Sequence, residues 1–322
     1  MWKDPMGRSS ASGRDHGGRL DAAIQKYGGT RETWLDLSTG IAPFPYPISG
    51  ISPEIWQALP DEAAFERLIA AARAFWDVPD QADILPVPGA SLAIAQLPRL
   101  AKPGRVRIVQ DTYNEHAAAF RAHGWQVVPE GPADVQVDVH PNNPNGRVCD
   151  PATLASGLCI VDESFCDTDP TLSHVPHLVN RPDLVVLKSF GKFWGLAGLR
   201  LGFIIASPDR IRQLADWVGP WAVSGPALAI GANALSDPAW AAEQRSRLAQ
   251  NAAALDALVV PKHARLVGGT SLFRLYELDD AARLETHLAQ HHILTRCFPY
   301  NPRWIRLGIP DATGLKRLED AL

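Results

Sequence analysis

Between residues 83 and 207 short apolar runs alternate with helix-patterned segments: ILPV, VRIVQ, QVVP, VQVDV, LCIVDE, LVVLKSF and GFIIAS. Runs of roughly four to seven residues that stay apolar at successive positions suit strands covered on both faces, and the helical stretches between them supply crossovers. This alternation predicts an α/β fold with a largely parallel sheet. Five prolines between Pro43 and Pro60 disfavour a long helix there and predict an extended crossing segment. A helix follows in AAFERLIAAARAFW, and PAWAAEQRSRLAQNAAALDAL from Pro238 reads as a long alanine-rich helix. Beyond it, RLVGGTSLFRLYEL, a helix, HHILTRCF and WIRLGI read as a small α+β unit. The expected division is a large unit at 45–225 and a small unit built from 1–44 and 226–322.

A chain of 322 residues with 46% hydrophobic and 20% charged residues has the composition of a globular protein. Its formal charge of −4 offers no basic footprint for nucleic acid. Cys149, Cys159, Cys166 and Cys297 form no CxxC pair and no zinc-type spacing, so neither a metal site nor a disulfide framework is expected. The N-terminal MWKDPMGRSSASGRDHGG lacks a signal-peptide core, and no run approaches the length of a membrane span. A cytoplasmic protein is expected.

The segment VVLKSFGKFWGLAGLRLGF, residues 185–203, carries the chemistry. Ser189 stands three residues before Lys192, and Arg200 eight residues after it, in a glycine-rich turn. A lone lysine in such a turn is usually a solvated surface residue. With a hydroxyl and a guanidinium on the same loop, a lysine amine can bind a carbonyl compound covalently while its neighbours hold a phosphate. The segment resembles the Schiff-base motif of the fold-type I, class I/II aminotransferases. That resemblance implies pyridoxal 5′-phosphate (PLP) as cofactor, Lys192 as the lysine that carries it, and Ser189 and Arg200 on its phosphate.

Three further segments fit the same family. In CIVDESFCD a strand delivers Asp162, which by resemblance pairs with the pyridine nitrogen; Phe165 stands where many members have a tyrosine. HPNNPNG resembles the family's asparagine–proline turn and offers Asn143 to the cofactor and substrate. In VPGASLAIAQL the backbone N–H groups of Ala90 and Ser91 open a helix where an anion would bind, and in DTYNEH Tyr113 is the aromatic expected over the ring.

The ends of the chain narrow the group. DHGGRLDAAIQKYG and WLDLSTGIAPFPYP resemble the start of threonine-phosphate decarboxylases of cobalamin biosynthesis, with departures at Arg19 and Ala42. The resemblance implies decarboxylation of L-threonine O-3-phosphate to (R)-1-amino-2-propanol O-2-phosphate. His16, Gly17 and Gly40 are the expected substrate contacts near the N-terminus. From ILTRCFPYNPRWIRLGIP, Arg306 is expected on the substrate carboxylate and Arg296 on the substrate, with the phosphate as its target. Histidinol-phosphate aminotransferase or a related transaminase is the alternative, because which Cα bond breaks depends on an angle that residue types do not specify. A silent PLP-binding protein is a third reading. Regulators with a PLP fold carry a DNA-binding domain in front, for which too few residues precede the fold. A homodimer is implied by the family, although Leu59 stands where many relatives have a tyrosine that reaches the partner's cofactor.

Overall fold

The computed structural model describes residues 16–154 and 157–322. β1 (Leu35–Asp36) belongs to the N-terminal segment, and seven later strands form the central sheet. These are β2 (Asp83–Val87), β3 (Arg105–Ile108), β4 (Gln126–Val128), β5 (Val135–Val139), β6 (Leu158–Asp162), β7 (Leu184–Ser189) and β8 (Gly202–Ala206). Their order across the sheet is β2-β8-β7-β6-β5-β3-β4. The pairs among β3 to β7 are parallel, whereas β8 runs antiparallel to both β7 and β2.

Every residue of β5, β6 and β8 is buried, as strands covered on both faces are; β6 and β8 are largely apolar, whereas β5 also buries Gln136 and Asp138, whose side chains hydrogen-bond to each other. Val161, Val186 and Phe203 pack on one face with Leu68 and Trp76. Ile160, Val185 and Ile204 pack on the other with Phe120 and Leu214. The two sets alternate along each strand, so the residues that leave the strand ends are already sorted by face.

The C-terminal part contains β9 (Arg265–Thr270), β10 (Phe273–Glu277), β11 (Ile293–Leu294), β12 (Arg296–Phe298) and β13 (Asn301–Gly308). Four of them form a sheet in the order β12-β13-β10-β9, while β11 pairs in parallel with β1. The N-terminal segment is thereby tied to the C-terminal sheet. The helix Pro238–Val259 bridges the two parts. Its Gln244 amide donates to the carbonyls of Phe44 at 2.9 Å and Phe193 at 3.1 Å, and its Asp256 pairs with Arg274 of β10 at 2.6 Å. Among the described residues no helix is long and apolar enough to cross a membrane.

Candidate active site

The C-terminal edge of the parallel strands meets the small sheet, and the chemistry-bearing residues gather there. Asp162 is the last residue of β6 and is buried. Its Oδ2 accepts from Nε2 of buried His116 at 2.8 Å, and its Oδ1 accepts from the hydroxyl and amide of Ser164 at 2.5 and 3.0 Å. Burial alone would favour the protonated acid, but the hydrogen bonds and the charge of His116 outweigh it and hold the carboxyl below its ordinary range. Asp162 is thus kept as an anion. His116 is a residue that sequence reasoning passed over. Its signal was its place three residues after Tyr113, on the first turn of the helix Asn114–Ala122.

Lys192 lies in the turn after β7, where its carbonyl accepts from the amide of Ala42 at 2.9 Å and that of Gly195 at 3.2 Å. Its Nζ is 5.7 Å from the ring centroid of Phe165. Burial, and next the Arg306 cation, push its pKa down from 10.5 to about 8, against the attraction of Asp162. The uncharged amine, the form a nucleophile needs, is therefore far more populated near neutral pH than in an ordinary lysine.

A second group converges through strand register. Gly202 of β8 lies opposite Val87 of β2 on one side and Ser189 of β7 on the other. Two residues beyond Val87, Gly89 caps the helix that starts at Ala90 and Ser91, with φ at +87°. A Cβ at Gly89 would lie 2.5 Å from Nη2 of Arg200, so glycine is what lets the guanidinium pack against this turn. Arg200 itself is left-handed, with φ at +55°, and donates to the carbonyl of Ala197 at 3.1 Å. The start of the Ala90–Gln96 helix, Ser189 and Arg200 are thus brought together around Gly89 and Gly202, with amide, hydroxyl and guanidinium donors in one neighbourhood.

Arg306, on β13, is buried and reaches across to the large sheet. Nη1 donates to Oδ1 of Asn143 at 2.5 Å and Nη2 to the carbonyl of Ser38 at 2.7 Å. A Cβ at Gly17 would lie 2.3 Å from that same carbonyl oxygen, and the amide of Gly18 donates to the Ser38 hydroxyl at 2.7 Å. The glycine turn therefore lies flat on the strand end that orients Arg306. Gly40 meets a different need. The space its missing side chain leaves is taken by Phe165 and Phe273, 2.8 and 3.1 Å from where a Cβ would be.

Tyr113 precedes the helix that carries His116, with the ring of His16 at 6.2 Å and that of His116 at 6.2 Å. Burial, then Glu115, raise its phenol to about 12, so it stays protonated. His16 Nε2 sits 2.9 Å from Glu115. Arg296 on β12 is in register with Arg306 and lines a cavity of about 400 Å³ with Tyr113, Thr112, Asn114, Arg121 and Tyr300. Sequence reasoning passed over Ser38 and Ser164, which act here through a backbone carbonyl and a carboxylate contact.

These residues fit PLP. The donor cluster around Gly89 suits a phosphate dianion, a buried ionised carboxylate suits a protonated ring nitrogen, and a partly neutral lysine suits an aldehyde. Among the described residues no cluster of histidine, cysteine, aspartate or glutamate is arranged for a metal ion.

Comparison with known proteins agrees. The profile of the aminotransferase class I and II family matches residues 139–322. A threonine-phosphate decarboxylase of Sinorhizobium sp is 42% identical over 95% of this chain and 97% of its own length. One from Pseudomonas aeruginosa is 38% identical over 96% and 97%. Among solved structures, histidinol-phosphate aminotransferase from Sinorhizobium meliloti, in complex with pyridoxal-5′-phosphate, matches with a TM-score of 0.83 at 18% identity, over 97% of this chain and 94% of that one. L-threonine-O-3-phosphate decarboxylase from Porphyromonas gingivalis matches with a TM-score of 0.71 at 20% identity, over 89% and 98%. The solved structures bear on the fold, and the sequence relatives on the family. Matched along nearly the whole length of two relatives, the chain belongs to the PLP-dependent aminotransferase class I and II family.

Proposed function

We propose that this protein is a threonine-phosphate decarboxylase, a PLP-dependent lyase that converts L-threonine O-3-phosphate to (R)-1-amino-2-propanol O-2-phosphate and carbon dioxide, a step of cobalamin biosynthesis. The observation that carries this reading is the end-to-end similarity to two threonine-phosphate decarboxylases at 42% and 38% identity. The histidinol-phosphate aminotransferase from Yersinia pestis is 29% identical over 71% of the chain, a weaker and shorter match.

Asp162, Ser189, Arg200, Asn143, Tyr113 and the amides of Ala90 and Ser91 would hold the cofactor, and Lys192 would carry it. When bound, PLP supplies an electron sink for the bond that breaks at the substrate Cα. Arg306 clamps the substrate carboxylate through a guanidinium already oriented by Asn143 and Ser38. By fixing that carboxylate it decides which bond at Cα is presented for cleavage. Asp162, held ionised by His116 and Ser164, keeps a proton on its partner nitrogen. Lys192, whose pKa of about 8 lies close to neutrality, is matched to return a proton to Cα after carbon dioxide leaves. Arg296, together with His16 and Gly17 of the N-terminal turn, would receive the phosphate of the substrate.

A homodimer belongs to the same reading. Exposed Trp221 and Leu59 line two adjoining clefts that share Pro60 and Asp61, and Trp56 is exposed on the short helix Glu54–Gln57, an apolar surface suited to a second copy. The free cysteines fit a reducing, cytoplasmic setting. The pairing of β1 with β11 supports joining the N-terminal segment to the C-terminal unit, as in the proposed division of 45–225 against 1–44 with 226–322. Leu228 and Leu235 of the helix Gly225–Leu235, however, pack with Leu68 and Phe203 of the large unit, which favours a boundary beyond that helix.

Product analysis with L-threonine O-3-phosphate tests the reading. The expected result is stoichiometric carbon dioxide and the amino-alcohol phosphate without any 2-oxo acid acceptor. Turnover that depends on 2-oxoglutarate and leaves the carboxylate in place would make the enzyme a transaminase. Binding without turnover would make it a silent PLP-binding protein.

A further inference from the structure

The two residues assigned to opposite ends of the cofactor each have a charged neighbour that faces the other way. Glu163 follows Asp162, Lys188 precedes Ser189, and on the reverse face of the sheet Lys188 Nζ lies 2.5 Å from Glu163 Oε2. Both side chains are buried in the layer that contains Trp76, Val161 and Phe203. Their remaining polar atoms are met. Glu163 accepts from the hydroxyl of Ser173 at 2.7 Å and from the amide of His174 at 2.5 Å. Asp167 lies 3.6 Å from Lys188 Nζ and accepts from the indole of Trp76 at 2.9 Å. Arg245 donates to the carbonyl of Asp167 at 2.8 Å, and the amide of Glu163 donates to the carbonyl of Leu187 at 2.9 Å. The bridge therefore closes at the last rung between β6 and β7.

Stability does not require ions here. A well-packed apolar pair of similar volume is often as stable as a buried ion pair, because the cost of desolvating two charges is rarely exceeded by their attraction. What the apolar pair lacks is directionality, which a hydrogen-bonded ion pair has. Side chains alternate across a strand, so a constraint on Glu163 and Lys188 at one face sets the offset of Asp162 and Ser189 at the other.

We propose that the Glu163–Lys188 bridge is a positioning device for the cofactor site: by locking the ends of β6 and β7 together it fixes the separation between the carboxylate for the ring nitrogen and the hydroxyl for the phosphate. The inference rests on assigning Asp162 and Ser189 to those two ends of PLP. A fixed separation matters most to a ligand that engages both points. PLP engages the carboxylate, Lys192 and the hydroxyl together and depends on the bridge most; pyridoxal, which lacks the phosphate but still reaches Asp162 and Lys192, depends on it less.

The test titrates the full-length protein, stripped of cofactor, with PLP and with pyridoxal. Ser189→Ala checks the site assignment separately, since it should weaken PLP and leave pyridoxal unchanged; an equal effect on both ligands defeats the assignment itself. The double variant Glu163→Gln/Lys188→Met removes both charges of the bridge, and the Asp167 carboxylate keeps the Trp76 indole as its donor. It is expected to melt somewhat below the wild type without cofactor, because Asp167 loses its cation, to bind PLP about tenfold more weakly, and to lose clearly less affinity for pyridoxal. Adding Ser189→Ala to that background should then cost little more. Lys188→Arg retains the charge but changes its reach, and gives a smaller loss of the same selectivity even where the double variant does not fold. Equal losses for PLP and pyridoxal, or no loss of PLP affinity in either variant, overturn the proposal.

Discussion

Arg306 and Asn143, 163 residues apart in the chain, are joined by a 2.5 Å hydrogen bond that carries a guanidinium of the small sheet onto the turn after β5. The bond orients a cation beside Lys192 and leaves it to recognise a carboxylate. Arg306→Ala should weaken every amino-acid substrate by roughly 1.5–3 kcal/mol, the range for a hydrogen bond to a charged group. The absorbance of lysine-bound PLP should persist. Substrate titration followed through that absorbance separates the two effects. Because Asn143 and the Ser38 carbonyl lose a donor, thermal melting should also fall, by the equivalent of about 1–3 kcal/mol.

Lys192→Ala should still bind PLP through Asp162, Ser189 and Arg200, but noncovalently. Gel filtration should recover cofactor with the protein, while borohydride should no longer fix it to the chain. Turnover should fall to background, because the covalent link and the Cα proton donor are lost together. Covalent fixation that survives the substitution would move the attachment point to another lysine.

Lys192 also sets a pH dependence. Its ammonium form cannot attack an aldehyde, so the rate of PLP attachment to the stripped protein should rise with pH and level off above about 8. A lysine at its ordinary 10.5 would extend that rise by more than two decades of proton concentration. Arg306→Ala removes a neighbouring cation and should shift the midpoint upward. Stability follows the same sign. The folded pKa is the lower one, so between about 8 and 10.5 the unfolded chain holds more protons and stability rises with pH. Lys192→Met should flatten that part of the profile in melts of the cofactor-free protein.

Arg296→Ala separates the phosphate from the rest of the substrate. Affinity for L-threonine O-3-phosphate should drop by roughly 1.5–3 kcal/mol, while that for plain threonine changes little. Equal losses for both ligands would remove Arg296 from the phosphate and leave the cavity beside Tyr113 without that role.

His116→Phe deprives Asp162 of its buried partner and leaves only Ser164 to hold it ionised. The carboxyl should then titrate at higher pH, since burial is no longer offset. The expected signature is a fall in kcat with little change in KM. The acid limb of the rate profile should move upward.

The strands were legible because a segment covered on both faces is apolar at most positions, and β6 to β8 are written that way up to their final residues, whereas β5 alternates valine with Gln136 and Asp138. The cofactor loop was equally open to reading, since Ser189, Lys192 and Arg200 share one short stretch whose residue types specify what it can hold. The pairings that tune these groups were decided only by the fold. His116 meets Asp162 across 46 residues, Arg306 meets the Ser38 carbonyl across 268, and Lys188 meets Glu163 on a face that apolar periodicity marks simply as core. Periodicity reports that a position is buried and says nothing of which residue it will touch. A backbone carbonyl such as that of Ser38 is the same in every residue, so only the path of the chain could select it.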